Sequence, residues 1–542
     1  MSRRKLGVVA AVATALLAWA VHLYQQAQEH GTQQSGADTV PGINNTVLFL
    51  VTGVHGLSNV HFATIQALLE RHPHIEVHFA TPTSDTDGTD GVNGRNVAKL
   101  ARIASFARSV NPAARDVAFH HLPGPSWVRA LKQNTDVGVE TLTQPPNYRG
   151  VALLSEQFQH SIAPWTGEEY LRIYRAARAL IEEVDPAVVV LDTLFMPGVD
   201  AARKARRLQA FVTPNTLIEN FVAEQPWLGM LWKYPIVGAD FGFPVPWRHV
   251  PENALSAFRL VWSVLNMPAI KARQRFLQEQ GGIKEPINFY KLHRPNVPWV
   301  TQTTEGASIP VDVVPPNVTC AGPIVLSAAP AAEQDAELAA WLAKGRGKTL
   351  LVNLGSSISV YSPKQASTMA AAIRATLDKH TDAQVLWKML NARNRTEELK
   401  PLSDLVAGGR VKISGWIDVD PVSLLETGDI LASVHHGGSN CYHEAIYAGV
   451  PQVILPLWAD LYNFAALAET SGIGVYGSRG TAPSWTIEGL TNAFMGVVDD
   501  EKAAGMREKA RKLSEKARAR PGREVAAAEI ARWAGSGRAY VL

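Results

Sequence analysis

Apolar blocks recur along the chain at 46–51, 188–191, 349–354, 385–387, 411–413, 430–434 and 452–457, most of them closed by a glycine, histidine or aspartate turn. Blocks that are apolar on both faces suit strands of a parallel sheet covered on both sides by helices. Between them, segments with helical spacing predict helices at 61–70, 253–280, 333–343, 464–470, 501–518 and 523–533. Strand and helix alternate in two series, which predicts an α/β fold with two domains. Prolines at 310, 315, 316, 323 and 330 separate the series and predict an extended linker over 308–332. The expected division is a first domain over 45–307, a second over 333–500 and closing basic helices over 501–542.

Ahead of the first block, Ser2-Arg3-Arg4-Lys5 precedes 6–23, a run without Asp, Glu, Lys or Arg. Its length approaches a membrane span, and the basic flank predicts a single-pass signal anchor at 1–23 with the bulk of the chain across the membrane, in the endoplasmic reticulum. A cleaved signal peptide is the alternative, because Ala18-Trp19-Ala20 resembles a cleavage site. Sequons at Asn44, Asn317 and Asn394 permit this orientation, and the polar stretch 24–44 reads as a tether.

Composition narrows the class. A chain of 542 residues with 46% hydrophobic and 19% charged residues is an ordinary globular protein of more than one domain. A net charge of +3 gives no basis for a nucleic-acid partner. Two cysteines, Cys320 and Cys441, cannot build a disulfide framework. Tryptophan is abundant, and several of the 14 cluster between Trp227 and Trp262, which suits a core, an apolar acceptor site or contact with a membrane face.

Chemistry concentrates between 430 and 463. An apolar strand ends at His435-His436, a Gly437-Gly438 turn opens a helix, and Gly449-Val450-Pro451 ends it before the next strand, which runs toward Asp460. A helix N-terminus offers free N–H groups and a positive dipole end to phosphate, and glycines let a ligand approach the backbone. Asn440 and Glu444 share one helix face, where Glu444 is placed to accept hydrogen bonds from ribose hydroxyls. Asp460 reaches a neighbouring polyol. The ligand that suits the set is a nucleoside diphosphate carrying a sugar. Metal binding is not expected, because His435 and His436 point to opposite faces of the strand.

The run from His436 to Glu444, then Gly449-Val450-Pro451, then Pro456 to Asp460, resembles the donor signature of the UDP-dependent glycosyltransferases, with similarity over 45–535 and a fungal character. The resemblance implies the GT-B fold, two Rossmann-like domains facing a cleft. It implies transfer of a hexose from a UDP-sugar to a hydroxyl of a small, apolar acceptor such as a lipid, sterol or secondary metabolite, with inversion and without metal or cofactor. The donor set it implies is Gly355, Ser356 and Ser357 at the diphosphate, Trp416 on uracil, and His436, Gly438, Asn440, Cys441, Glu444 and Asp460. Cys441 stands where the family has Ser, Leu461 where it has Gln, and Asp418-Val419 where it has Pro-Gln.

The resemblance also implies a catalytic His in the turn after the first strand, but Leu57 stands there. His55 and His61 are the substitutes within reach, and Asp192, at the end of the 188–191 strand, is the expected partner of the base. Because of Leu57 and Leu461, a non-catalytic UDP-sugar-binding protein is the alternative. A literal G-x-G-x-x-G at 472–477 lacks the following helix of a dinucleotide site and reads as a helix exit into a strand.

Overall fold

The computed structural model describes residues 39–83, 92–294, 296–355 and 360–538. The expected anchor at 1–23 lies outside the described residues, as do most of the tether and Ser356 and Ser357. Among the described residues no helix is long and apolar enough to cross a membrane.

Thirteen strands form two sheets in the described residues, and every pairing is parallel. The first sheet contains β1 (Ile43–Leu50), β2 (Glu76–Thr83), β3 (Ala118–Pro123), β4 (Pro186–Leu191), β5 (Leu208–Thr213), β6 (Trp299–Thr301) and β7 (Val318–Cys320), in the order β3-β2-β1-β4-β5-β6-β7. The second contains β8 (Thr349–Val352), β9 (Gln384–Lys388), β10 (Val411–Ser414), β11 (Ile430–His435), β12 (Gln452–Ile454) and β13 (Gly474–Tyr476), in the order β10-β9-β8-β11-β12-β13. Each chain path starts mid-sheet, winds to one edge, then returns to build the other side. The reversals fall between β1 and β4 and between β8 and β11, the places where open α/β sheets bind ligands at their carboxyl ends.

Alternation along the first sheet sorts its side chains into two cores. Leu48, Leu50, Val189 and Leu191 face one cluster with Tyr170 and Tyr174. Val47, Phe49, Val188 and Val190 face another with Val60, Leu68 and Ile530. A third cluster fills one face of the second sheet around Trp387, Val434 and Phe494.

Four expectations need correction. Val318–Cys320 pairs with β6 as the edge strand β7, so the stretch read as linker begins inside the first domain; prolines exclude a helix but tolerate a sheet edge. The helix expected to start at His61 starts at His55, because Gly56, Ser58 and Asn59 continue the helical path in place of an open turn. The segment 253–280 is two helices, Val250–Leu265 and Pro268–Gly281, divided where Pro268 bars its predecessor from helical backbone. Of the closing helices Gly522–Ala534 packs fully onto the first domain, through Ala526, Ala527 and Ile530. Asp500–Ala519 lies on the second, where the Ser514 hydroxyl donates to the Tyr447 carbonyl at 2.6 Å, and reaches the first through Leu513 beside Ala307. The glycine-rich 472–477 segment behaves as expected, leaving the Asp460–Thr470 helix and entering β13.

Candidate active site

The second reversal point gathers most of the residues expected to hold the donor. β8 ends at Val352, and the Asn353 N–H donates to the Val434 carbonyl at 2.9 Å. The Asn353 side chain then accepts from the Gly355 N–H at 3.1 Å, which turns the chain with Gly355 at φ +83°. β11 ends at His435-His436. His435 is structural: its Nδ1 accepts from the Gly437 N–H at 3.0 Å, so Nε2 carries the proton and donates to Gln452 at 2.8 Å. Its neighbour faces the opposite way. A Cβ on Gly355 would lie 2.7 Å from the His436 ring, and one on Gly438 would lie 2.6 Å from its Nε2. The imidazole is therefore slotted between two glycines, and its Nδ1 has no hydrogen-bond partner among the described residues. Burial, with the neighbouring His435 and Lys388, lowers its pKa to about 3, so it is neutral in the ligand-free protein.

Ser439–Ala448 follows with Gly438 at the N-cap position and no side chain capping it, so its first amides are left for a ligand. Gly449 at φ +75° terminates the helix in left-handed backbone. Gly437, at φ +98°, is also compelled to be glycine: a Cβ there would meet Ile454 at 2.8 Å and the Leu461 carbonyl at 3.0 Å. Cys441 is a free thiol whose pKa burial pushes far up, so it acts as a neutral, small side chain.

One side chain that the sequence did not single out, Lys388, completes this half. Lys388, at the end of β9, is buried; its ammonium sits 3.8 Å from the centre of the Trp416 ring and 3.4 Å from the Gly355 carbonyl. Burial lowers its pKa. Trp416 itself is 48% exposed. Glu444 lies further down the helix, where burial raises it to about 7, Lys99 opposes that rise and Asp420 adds to it. Lys99 comes from the first domain and donates to Asn59 at 2.8 Å. Together with Asn59, Asp420 and Asn440, these two line a cavity between the domains.

The first reversal point faces this one. Asp192, at the end of β4, is fully buried and accepts from the Thr52 N–H at 2.7 Å and the Leu194 N–H at 2.8 Å. It fastens the ends of β1 and β4 together and holds the turn that delivers position 55. His61 is not at the cleft: it is wholly buried, edge-on to Phe49, with neither ring nitrogen hydrogen-bonded among the described residues. Burial lowers its pKa to about 3. A ring sealed in the core cannot touch an acceptor, which removes His61 as the base. Position 55 begins the helix at the cleft edge.

Polar contacts hold the two halves in register. The Asn440 amide donates to the Gly56 carbonyl at 2.8 Å, placing the helix start of the second domain directly against the turn of the first. Ser439 donates to the Pro214 carbonyl, and Gln302 donates to the same carbonyl at 2.9 Å. Asp460, raised to about 6 by burial, faces Glu219 of the first domain, whose carboxyl burial and Asp460 raise to about 7. Ala459, immediately before Asp460, has φ +44°, a strained value for a residue with a side chain.

This arrangement coincides with comparisons to known proteins. Residues 285–528 match the family model for UDP-glucoronosyl and UDP-glucosyl transferase. The chain is 29% identical over 463 residues to glycosyltransferase sdnJ of Sordaria araneosa, spanning 84% of this chain and 88% of that one. By sequence the chain is therefore similar to UDP-glycosyltransferases.

Other relatives agree over shorter spans. The human 2-hydroxyacylsphingosine 1-beta-galactosyltransferase is 26% identical over 312 residues, 54% of this chain and 52% of that protein. In fold, the chain is similar to a UDP-glucosyltransferase from Polygonum tinctorium, with a TM-score of 0.58 at 17% identity, over 92% of this chain and all of the other. A second fold relative, UGT2 of Phytolacca americana in complex with UDP-2fluoro-glucose and pterostilbene, has a TM-score of 0.56 at 15% identity, over 91% of this chain and 99% of the other. The chain thus shares the GT-B fold of these enzymes.

Where the chain departs from the donor signature it resembles, the structure places the residues that differ. Leu461 is buried, and its backbone packs against Gly437, so it cannot take up the sugar contacts of the family Gln. Val419 is core, and Asp418 is exposed. Lys388, Lys99, Gln302 and Glu219 escaped sequence reading because each sits on a different element: Lys388 closes β9, Lys99 lies in the helix Val92–Val110, Glu219 in the helix Leu217–Phe221, and Gln302 follows β6. A lysine closing the apolar 385–387 block was the one available signal.

Proposed function

We propose that the protein transfers a hexose from its UDP-sugar to a hydroxyl of a small apolar acceptor, with inversion at the anomeric carbon and without a metal, and that His55 is the base. The observation that carries this reading is the Asn440–Gly56 bond, which sets the turn bearing His55 against the start of the donor helix. In the proposed reaction His55 removes the acceptor hydroxyl proton as the oxygen attacks the anomeric carbon. The bond from that carbon to the diphosphate oxygen breaks, and its electron pair leaves with UDP. His436, the Lys388 ammonium and the first amides of Ser439–Ala448 meet the departing charge in a water-poor slot. Trp416 stacks on uracil, Glu444 accepts from the ribose, and Asp460 accepts from the sugar. Asp192 acts through the turn, by holding β1 and β4 so that position 55 is fixed.

Support for an apolar acceptor comes from similar proteins that act on a sphingosine derivative or on indoxyl, or that bind pterostilbene, as their names state. Incubating the full chain with a panel of UDP-hexoses and a mixed pool of lipids and aromatic aglycones, with UDP formation and product mass as readouts, tests the reading. His55→Ala should lower turnover about 100-fold or more, while His61→Ala should lower stability and leave the rate per folded molecule near normal. Full turnover in His55→Ala would remove His55 as the base.

A further inference from the structure

The segment between β5 and β6 presents an aromatic surface that neither the core nor the donor site uses. Trp227 is 86% exposed and Trp247 is 83% exposed. Trp262 and Leu255, seven residues apart on one face of Val250–Leu265, are each 56% exposed. Trp232 joins them: its ring stacks on Trp247 with centroids 6.5 Å apart, and its indole N–H donates to the Trp227 carbonyl at 3.0 Å. The scaffold beneath is rigid. Asn253 is buried and its amide donates to the carbonyls of Met230, Leu231 and Tyr234, so the loop and the helix move as one body. Trp227 and Leu228 have φ of +59° and +51°, consecutive left-handed residues with side chains. That backbone is costly and turns the Trp227 indole outward.

We infer that this aromatic surface docks onto a lipid bilayer, inserting Trp227, Trp247, Trp262 and Leu255 at the headgroup level. Trp227 and Trp247, exposed to this degree, stand proud of the surface, although a cavity lined by Arg259, Met267 and Pro268 lies beside Trp262. What accepts such rings is a fluid apolar phase with a wet boundary, where tryptophan is favoured because its ring is apolar and its N–H polar. Arg248, exposed next to Trp247, adds attraction to anionic headgroups. The same chain carries a second membrane-directed feature in sequence, the apolar run 6–23 behind Arg3-Arg4-Lys5. Two weak membrane signals on one polypeptide reinforce each other, since the second binding step is intramolecular. The surface belongs to the acceptor-side domain, so docking would bring a membrane-dissolved acceptor close to the cleft.

Quenching by lipids brominated on the acyl chain locates indoles directly. The full chain is mixed with phosphatidylcholine–phosphatidylglycerol vesicles, with and without bromolipid, and compared with the W227F/W247F/W262F variant. Phenylalanine keeps the surface apolar and removes only the fluorophores, while Trp19 contributes equally to both. The expected result is loss of most of the bromolipid-quenchable intensity in the variant. In parallel, W227S/W247S/W262S, checked for folding by circular dichroism, should raise the vesicle concentration for half-binding about tenfold or more. Equal quenching of wild type and the phenylalanine variant would overturn the inference. So would a serine variant that binds vesicles normally but converts a wild-type dimer to monomer in sedimentation, which would make the patch a protein interface. Turnover of a soluble acceptor without vesicles should be unchanged in both variants, which separates failure of docking from failure of the catalytic reading.

Discussion

His436 works because two glycines leave room for it. The ring is held between Gly355 and Gly438, and its Nδ1 has no hydrogen-bond partner among the described residues. Gly438→Ala would place a methyl 2.6 Å from Nε2 and force the ring aside. Overpacking of this kind costs about 1–3 kcal/mol of stability, so the melting temperature should fall by a few degrees, and UDP affinity measured by calorimetry should fall as the ring is displaced. His436→Ala should cut UDP release by about 100-fold or more, the usual effect of removing a group that meets developing charge. At this scale the sequence was legible in where the ordered motif falls: His436, Gly438 and Asn440 sit at one helix start, with Glu444 further along the same helix. It was not legible at His61. An alternating strand and a helix each show which residues are apolar, but a histidine buried on an apolar helix face looks the same in sequence as one at a cleft.

The Ser439–Ala448 helix links the donor site to pH. Glu444 is raised to about 7 by burial, against the pull of Lys99 and with the push of Asp420. Below that pH its carboxyl is largely protonated and has lost acceptor capacity; above it, the carboxylate is free to accept both ribose hydroxyls. UDP affinity should therefore rise, by up to about tenfold, as pH increases through 7, and Glu444→Gln should flatten that dependence once the diphosphate's own ionisation is subtracted. The sign for stability is opposite. The folded protein holds a proton that the unfolded chain gives up above its ordinary value of 4.5, so ligand-free stability falls as pH rises from about 4.5 to about 7. Element boundaries were legible where glycine and proline mark them, as at Gly449-Val450-Pro451. They were not where the breaker was absent: the helix from His55 begins six residues early, since Gly56 lies in open space and nothing in local sequence forbids helical backbone there.

The two-sheet architecture follows from the alternation of apolar blocks and helices, and the chain order within each sheet puts the predicted donor residues at one reversal point and Asp192 at the other. What local pattern could not supply is contact across hundreds of residues. The Gly522–Ala534 helix closes the first domain from the far end of the chain, and Arg523 pairs with Glu70 at 2.8 Å, the Glu70 side chain being 1% exposed. Arg523→Ala strands a buried carboxylate and should destabilise the protein by about 3–5 kcal/mol in denaturant unfolding, whereas Glu70→Gln combined with Arg523→Met should recover much of that loss. The central claim is that the diphosphate of the donor lies at the β8–β11 reversal point. A crystal structure of the full chain with UDP tests it most directly. The account predicts phosphate oxygens against His436, Lys388 and the first amides of Ser439–Ala448, with uracil on Trp416; UDP bound elsewhere, or this slot filled by side chains in the complex, would contradict it.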